Sequence, residues 1–295
     1  GVIDMALGQA RYAQINTPLS QKLAQKKCLI AVHRGSWGGN ITQNTIGAYA
    51  AALQMGADMV ESDVNATTDG VLYSFHDGNE KRVFGVDKGI REMDSKEVEG
   101  YHPINTCNEP TAARINRLTE VLDFLSHGEL LNIDRAWNII PQLLEVLDRY
   151  PNAKYQVVLK APLKAKEAYE LLNAHPVKYM FMPICYSFED VEAALSYPDL
   201  NVVGCEIIAF DAQTDLFSDA CIQKIHDKNL YAWVNAITLG DVRTKPLYAK
   251  LDDDVSILQD PALGWGKLFE KKIDIIQTDW PAILYQYRQK ILGVE

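Results

Sequence analysis

Residues 28–64, CLIAVHRGSWGGNITQNTIGAYAAALQMGADMVESDV, contain the pattern that decides the fold. Two short apolar runs, at 28–33 and 59–64, flank the amphipathic segment IGAYAAALQMG. Runs that stay apolar over several residues are typical of parallel strands whose two faces are both covered by other elements. The stretch therefore predicts a strand, a helix and a second strand in succession.

The same alternation continues to the end of the chain. Further strand-like runs lie at 130–135, 155–160, 180–186, 202–208, 230–235 and 273–279. Together with the first two they make eight strand–helix units, which favour a closed parallel barrel over an open doubly wound sheet. The sequence thus predicts an α/β fold, a single (β/α)₈ TIM barrel.

A ninth run, VLYSFHD at 71–77, follows the second strand too closely for a helical crossover to a parallel neighbour. The turn residues TTDG at 67–70 predict an extra hairpin instead. Pairing centred on this turn would set Glu61 opposite His76, whereas a bulge at Gly70 would shift the register by one residue.

Two segments lie outside the repeat. Residues 1–27 are polar to amphipathic and predict a helical extension against the base of the barrel. Residues 78–116 carry mixed charge, Gly and Pro without a clear period, and predict an insertion over one barrel mouth. Neither segment has the composition of an interdomain linker. We therefore expect one domain over residues 1–295.

Composition excludes several classes of protein. Lys and Arg total 29 against 39 for Asp and Glu, a formal net charge of −10, which argues against nucleic-acid binding. The five cysteines form no CxxC pair and predict buried thiols rather than a disulfide scaffold. No apolar run reaches the roughly 18 residues of a transmembrane segment. The oligomeric state is left open.

Acidic residues stand at the ends of two predicted strands, where barrel enzymes carry their active groups. Glu61 and Asp63 are two apart on one strand and point to the same face, and Asp134 ends the next barrel strand. Confined carboxylates repel one another unless a cation joins them, so the three predict one divalent cation, Mg²⁺ or Ca²⁺. Outward-facing surface acids are the alternative, which the flanking apolar residues disfavour.

Two histidines and two basic residues complete the candidate site. A lone strand-end histidine is more often a core residue, but His33 and His76 together suit the removal and delivery of a proton. Arg34 and Lys160 are candidates for stabilising negative charge on a phosphate. Trp233 is a candidate for stacking on the alcohol portion of a substrate, and it could equally fill the barrel.

These pieces form an ordered set of motifs. They are HRG at 33–35, NT at 44–45, GADMVESDV at 56–64, DG at 69–70, HD at 76–77, LTEVLDFL at 118–125, LNID at 131–134 and TDWP at 278–281. The set resembles the glycerophosphodiester phosphodiesterase family over residues 28–281. A combination in this order is far more specific than any one of its members.

The resemblance implies a phosphoric diester hydrolase on a barrel with an insertion after the second strand. It implies metal-dependent hydrolysis of small-molecule glycerophosphodiesters to glycerol 3-phosphate and an alcohol. The two histidines would be the general acid–base pair, the three carboxylates the metal ligands, and Arg34 and Lys160 the phosphate contacts. Family habit, together with Gly1 in place of Met, favours an exported or periplasmic bacterial protein with a trimmed leader over a cytoplasmic one.

Three departures from the family pattern keep alternatives open. Gln43 stands where the family usually has Glu, and Asp134 and Ala136 stand where it usually has Glu and then Lys. One alternative is a phospholipase D-like lyase that acts on sphingo- or lysophospholipids and ends at a cyclic phosphate. Another is a non-catalytic relic that binds phosphorylated or glycan ligands. The substrate headgroup and the physiological metal are not determined by the sequence.

Overall fold

The computed structural model describes residues 6–241 and 244–295, and over these residues nine strands form one sheet. The strands are β1 Leu29–Val32, β2 Met59–Ala66, β3 Leu72–Ser74, β4 Leu130–Asp134, β5 Val157–Pro162, β6 Met180–Cys185, β7 Gly204–Ile207, β8 Tyr231–Asn235 and β9 Ile275–Thr278. Their order is β1-β9-β8-β7-β6-β5-β4-β2-β3, and β1 also pairs with β2. Eight parallel strands therefore close into a ring, which confirms the predicted barrel.

Helices alternate with these strands along the chain. They are α1 Ala13–Lys26, α2 Ile46–Gln54, α3 Glu80–Phe84, α4 Ser95–Gly100, α5 Leu118–Phe124, α6 Ile140–Leu147, α7 Ala153–Gln156, α8 Lys166–Ala174, α9 Phe188–Leu195, α10 Asp219–Asp227, α11 Asp253–Leu258, α12 Trp265–Glu270 and α13 Pro281–Leu292. None of the helices in the described residues is both long and apolar enough to cross a membrane.

Alternate residues of each strand face opposite sides of the sheet. In β1, Ile30 and Val32 pack in the outer apolar layer with Tyr49 of α2, whereas Leu29 and Ala31 belong to the barrel interior. The interior layer takes side chains from seven of the eight barrel strands and from Val203, which directly precedes β7. Since both layers are apolar, the strands show the continuous apolar runs that the sequence displays.

Helix α1 closes the base of the barrel. Its buried Leu19 and Leu23 join the interior layer at the start of the strands. Asn16 and Asn201 exchange two amide hydrogen bonds of 2.9 and 2.8 Å, which ties the helix to the loop before β7. The first five residues of the predicted 1–27 extension lie outside the described residues. With its base filled, the barrel offers its opposite, C-terminal mouth for a site.

The insertion at 78–116 is locally folded. It contains α3, α4 and a 3₁₀ turn at Ile90–Glu92. Its apolar side chains form a small cluster of their own with β3, in which the rings of Phe75 and Phe84 stack with centroids 5.1 Å apart. A satellite core of this kind explains how a long segment without clear periodicity can be ordered.

The hairpin after β2 is present, but the predicted pairing of Glu61 with His76 is wrong. The strands pair Val64 with Ser74 and Ala66 with Leu72, which is one residue away from the predicted register. The cause is Gly70, whose φ of 80° ends a three-residue loop in place of a two-residue one. Strand β3 ends at Ser74, so His76 lies in the loop that follows.

Candidate active site

A cavity of about 730 Å³ opens at the C-terminal ends of the barrel strands. Six of the predicted site residues line it, namely His33, Arg34, Asp63, His76, Asp134 and Lys160. They come from five different strand ends or the loops that follow them. The fold therefore brings together most of the residues that the sequence singles out, including both histidines.

Three carboxylates converge at the edge of this cavity. Glu61, Asp63 and Asp134 each offer an oxygen within 4.8 Å of the others. They meet because β2 and β4 are parallel neighbours whose register pairs Asp63 with Asp134. Burial, and then the charges of Asp63 and Asp134, raise the pKa of Glu61 well above its ordinary value. Burial also raises the pKa of Asp134.

One oxygen of this cluster has no partner. The side chain of Glu61 is almost fully buried. Its Oε1 nevertheless makes no hydrogen bond within the described residues. An orphaned buried carboxylate oxygen is costly unless a cation satisfies it. Three oxygen donors of this kind fit a hard divalent cation.

Three other oxygens of the cluster accept hydrogen bonds. The backbone N–H of Arg34 donates to Oε2 of Glu61 (3.0 Å), and that of Arg135 donates to Oδ1 of Asp134 (2.7 Å). The Asn44 amide donates to Oδ2 of Asp63 (3.0 Å). Both arginines follow a strand with a positive φ, 58° and 65°, a strained conformation that turns their N–H groups toward the carboxylates. These contacts fix the orientation of the three acids.

Each histidine is oriented through its Nδ1. His33 directly follows β1, and its Nδ1 lies 3.3 Å from Oδ1 of Asp279, which follows β9. Nδ1 of His76 lies 2.6 Å from the backbone carbonyl of Asp77 and must donate its proton there, since the carbonyl only accepts. This arrangement assigns Nε2 of His76 to any exchange with a ligand in the cavity.

Two cations adjoin the acids. Nζ of Lys160 lies 2.9 Å from Oε1 of Glu206 and 3.4 Å from Oδ2 of Asp134. Burial opposes the charged form, but the carboxylates of Asp134 and Glu206 outweigh it and raise the pKa of Lys160. Nε of Arg34 lies 3.3 Å from Oδ2 of Asp63. The cavity wall thus carries positive charge that is suited to a phosphate.

Trp233 does not line the cavity. It is fully buried among the interior side chains of the barrel, because its position on β8 faces inward beneath the mouth. Its indole N–H donates to Oδ1 of Asn235 (2.9 Å), and Asn235 is the residue of this strand that reaches the cavity. Trp233 therefore fills the barrel interior and does not line the cavity where a substrate would stack.

Three polar residues that the sequence did not single out for a role form the floor of the cavity. Glu206, Asn235 and Gln277 line it, and the Gln277 amide donates to Oδ1 of Asn235 (2.6 Å). Oε1 of Gln277 is buried without a partner in the described residues. Each lies in a largely apolar strand, at an inward position that only the register of the barrel reveals.

The comparisons with known proteins bear on the same residues. A model of the glycerophosphoryl diester phosphodiesterase family matches residues 33–183, just over half of the chain. This match includes both histidines, all three carboxylates and Lys160. A second model, described as a domain of unknown function, matches residues 181–288.

Curated relatives match part of the chain. A glycerophosphodiester phosphodiesterase of Caldanaerobacter subterraneus subsp. tengcongensis is 32% identical over 116 residues, 39% of this chain and 47% of that protein. The lysophospholipase D GDPD1 of Homo sapiens is 29% identical over 128 residues, 43% of this chain and 35% of that protein. The chain thus spans about half or less of the length of these relatives.

Solved structures share the fold over nearly the whole chain. A glycerophosphoryl diester phosphodiesterase of Parabacteroides distasonis superposes with a TM-score of 0.68 at 17% identity, covering 90% of this chain and 87% of that one. A phosphodiesterase of Oleispira antarctica, in complex with the product sn-glycerol-3-phosphate, gives 0.63 at 18% identity, covering 89% and 96%. At such identities the likeness establishes the barrel fold alone.

Proposed function

Because the chain belongs to the glycerophosphoryl diester phosphodiesterase family, we propose that it hydrolyses glycerophosphodiesters to glycerol 3-phosphate and an alcohol. The observation that carries the proposal is the convergence of two histidines and three carboxylates on one cavity at the barrel mouth. A binding protein would have no need of an acid–base pair, which disfavours a non-catalytic relic.

The acidic cluster would hold one divalent cation, Mg²⁺ or Ca²⁺, through Glu61, Asp63 and Asp134. When bound, such a cation supplies charge that neutralises a non-bridging phosphate oxygen. The unpartnered Oε1 of Glu61 and its raised pKa support this assignment. Asp134 is one methylene shorter than the usual glutamate, but β4 places it close enough to share the cluster.

The two histidines divide the proton transfers. One accepts a proton from water as the water oxygen bonds to phosphorus, and the other protonates the alcohol oxygen as its bond to phosphorus breaks. One water is consumed, and its atoms end on the phosphate and the released alcohol. Asp279 orients His33, and the carbonyl of Asp77 orients His76. Such orienting contacts keep each imidazole in one tautomer.

Arg34 and Lys160 face the place where phosphate charge develops. Both lie beside the acids on the cavity wall. Gln43 accepts a hydrogen bond from Nη1 of Arg34 (2.9 Å) without adding a negative charge. The guanidinium therefore keeps more of its charge for a ligand than it would opposite the usual glutamate.

The names of relatives are consistent with this substrate class. The bacterial relative is named a glycerophosphodiester phosphodiesterase, and the human relative a lysophospholipase D. The structural neighbour from Oleispira antarctica holds sn-glycerol-3-phosphate, the product that we propose here. A lyase that ends at a cyclic phosphate differs in its product, so product analysis separates the two reactions.

The proposal is tested by a metal-dependent assay on glycerophosphocholine. We expect turnover that a chelator abolishes, with glycerol 3-phosphate as the product. His33→Ala should lower kcat by about 10² or more, the scale of general acid–base catalysis. His127→Ala, at a surface histidine far more exposed than His33, is the matched control and should leave kcat unchanged. Full activity of His33→Ala would refute the assignment, and a cyclic phosphate product would favour the lyase.

A further inference from the structure

A buried carboxylate lies behind the pair formed by His33 and Asp279. Asp253 is the first residue of α11, and only 3% of it is exposed. Its Oδ2 accepts a hydrogen bond from the backbone N–H of Asp279 (2.9 Å), and its Oδ1 accepts one from the hydroxyl of Thr278 (2.8 Å). Asp253 is therefore hydrogen-bonded to the segment that pairs with His33.

This segment, Thr278 and Asp279, contacts His33 at two points. The backbone N–H of His33 donates to the carbonyl of Thr278 (3.3 Å), and Nδ1 of its ring lies 3.3 Å from Oδ1 of Asp279. The side chain of Asp279 is 40% exposed, so packing alone does not fix it. Its position depends on the backbone that carries it, and Asp253 holds that backbone from the buried side.

Asp253 can act only as an acceptor in this arrangement. The backbone N–H of Asp279 and the indole N–H of Trp265 (3.0 Å from Oδ1) can only donate. The Thr278 hydroxyl accepts from the backbone N–H of Trp280 (2.9 Å), so its one proton points to Asp253. Three donors thus converge on one carboxylate. The ionised form satisfies all three, and an amide would not.

Holding this carboxylate in the interior is costly. Burial raises the pKa of Asp253 to about 7, and the hydrogen bonds from its three donors oppose the rise. An apolar side chain of similar volume would fill the same space without that cost. Packing therefore does not account for the carboxylate, whereas the three donors do.

The two aspartates beside Asp253 are placed differently. Asp252 caps α11, since its carboxylate accepts from the backbone N–H of Val255 (3.0 Å). Asp254 is exposed. The backbone N–H of Asp253 donates to the carbonyl of Ala236 (2.8 Å), directly after β8, and this bond ties the start of α11 to the barrel. Helix α11 thus turns the middle aspartate toward β9.

These residues lie outside the part of the chain that the phosphodiesterase family model matches. That model ends at residue 183. Asp253, Trp265 and Asp279 all lie within residues 181–288, which match the domain of unknown function. His33, by contrast, is the first residue of the phosphodiesterase match. The hydrogen bonds described above therefore connect the two matched parts at the imidazole.

We infer that Asp253 is a positioning residue for His33, acting through Thr278 and Asp279, and that the part of the chain matched as a domain of unknown function thereby supports acid–base catalysis. The inference rests on the proposed function, in which His33 exchanges a proton. Asp253 does not line the cavity itself. It holds the backbone of Asp279, whose carboxylate keeps the proton of the neutral imidazole on Nδ1 and leaves Nε2 for the exchange.

Asp253→Asn tests this role, because it keeps the side-chain volume and turns an amide N–H group toward one of the donors. With glycerophosphocholine as the substrate, we expect kcat to fall by about tenfold to 10² and KM to stay unchanged. This is the scale of misplacing a reacting group by about 1 Å. Asp254→Asn is the matched control, since it makes the same change at an exposed neighbour, and it should leave kcat unchanged.

A double-mutant cycle separates positioning from a general loss of structure. In a His33→Ala background, Asp253→Asn should lower kcat no further, because the residue that it positions is gone. An equal fall in both backgrounds would overturn the inference, and so would an unchanged kcat in Asp253→Asn alone. If Asp253→Asn does not fold, Thr278→Val replaces it in the cycle and should show the same pattern, because it removes the hydroxyl that donates to Asp253.

Nuclear magnetic resonance examines His33 without turnover. The nitrogen chemical shifts of its neutral ring show which nitrogen carries the proton. We expect Nδ1 in the original protein and a mixture of the two tautomers in Asp253→Asn, and an unchanged distribution would overturn the inference. If the original protein does not turn over glycerophosphocholine, the proposed function is refuted, and the comparison of tautomers still decides whether Asp253 positions His33.

Discussion

At the scale of single residues, one departure from the family pattern lies close to Lys160. The lysine usual two residues after the third carboxylate is Ala136 here, and Ala136 is buried. Lys160, on the neighbouring strand β5, instead brings Nζ to 3.4 Å from Oδ2 of Asp134. Glu206 holds the same ammonium at 2.9 Å. A cation thus reaches the acidic cluster from a different strand.

Lys160→Met should show what this ammonium contributes. The change keeps much of the side-chain volume and removes the charge, so we expect kcat to fall by about 10² to 10³, as when one group that stabilises a developing oxyanion is lost. Lys164→Met is the control, because this lysine also lines the cavity but is exposed. If kcat of Lys160→Met at saturating cation were unchanged, the ammonium group would have no role in catalysis and would only pair with Glu206.

Residue types and their order predict the site only in part. Glu61 and Asp63 could be found because two acids alternate within one apolar strand, which is an expensive arrangement without a function. Gln277 could not, because one amide in an apolar strand carries no such signal. Its role depends on which face of β9 points inward, and the pairing of β9 with β1 and β8 determines that.

At the scale of elements, strand positions could be predicted and one register could not. The strands coincide with continuous apolar runs, since burial on both faces leaves no other composition stable. The hairpin register depends on loop length, and two-residue and three-residue loops use similar turn residues. Gly70 decides between them through its φ of 80°, a conformation that glycine tolerates without strain.

Gly70→Ala tests this role of the loop. A Cβ at this position would meet no atom within 4 Å, so the change probes backbone conformation alone. We expect the free energy of unfolding to fall by about 1 to 2 kcal/mol, the penalty of a left-handed L-residue. Urea denaturation measures it. Gly100→Ala also meets no atom and lies at the end of α4 without a positive φ, so it should not destabilise the protein. Equal effects of the two changes would contradict this account.

At the scale of the whole molecule, closing the barrel creates the acidic cluster. The ring makes β2 and β4 neighbours although a hairpin and an insertion separate them in the sequence. Their carboxylates then share a buried site in which burial raises the pKa of both Glu61 and Asp134. The fold therefore holds like charges together at a cost to its stability, which a bound cation would offset.

This balance predicts that stability depends on pH and on the cation together. Without a cation, the pKa of Glu61 is higher in the folded protein than in the unfolded chain, where it is near 4.5. The protonated side chain therefore contributes to stability. This contribution is complete below the pKa of the unfolded state and is lost as the pH rises through the pKa of the folded state. Cation binding requires ionised carboxylates, so its stabilisation runs the other way. At 100 times its Kd, a cation adds about 2.7 kcal/mol, a rise in Tm of roughly 5 to 10 °C.

Thermal unfolding at pH 5 and pH 8, with a chelator and with Mg²⁺ or Ca²⁺, checks this balance. We expect the rise in Tm on adding cation to be larger at pH 8, where the three acids of the cluster are more fully ionised. Glu61→Gln removes one buried charge and one ligand, so the cation-free variant should gain stability relative to the original protein as the pH rises, and it should respond less to the cation. A rise in Tm that is equal at both pH values, or equal in the variant, would mean that the cation binds elsewhere. The acidic cluster would then destabilise the barrel without a resident ion, and the proposed catalysis would need a different source of charge at the phosphate.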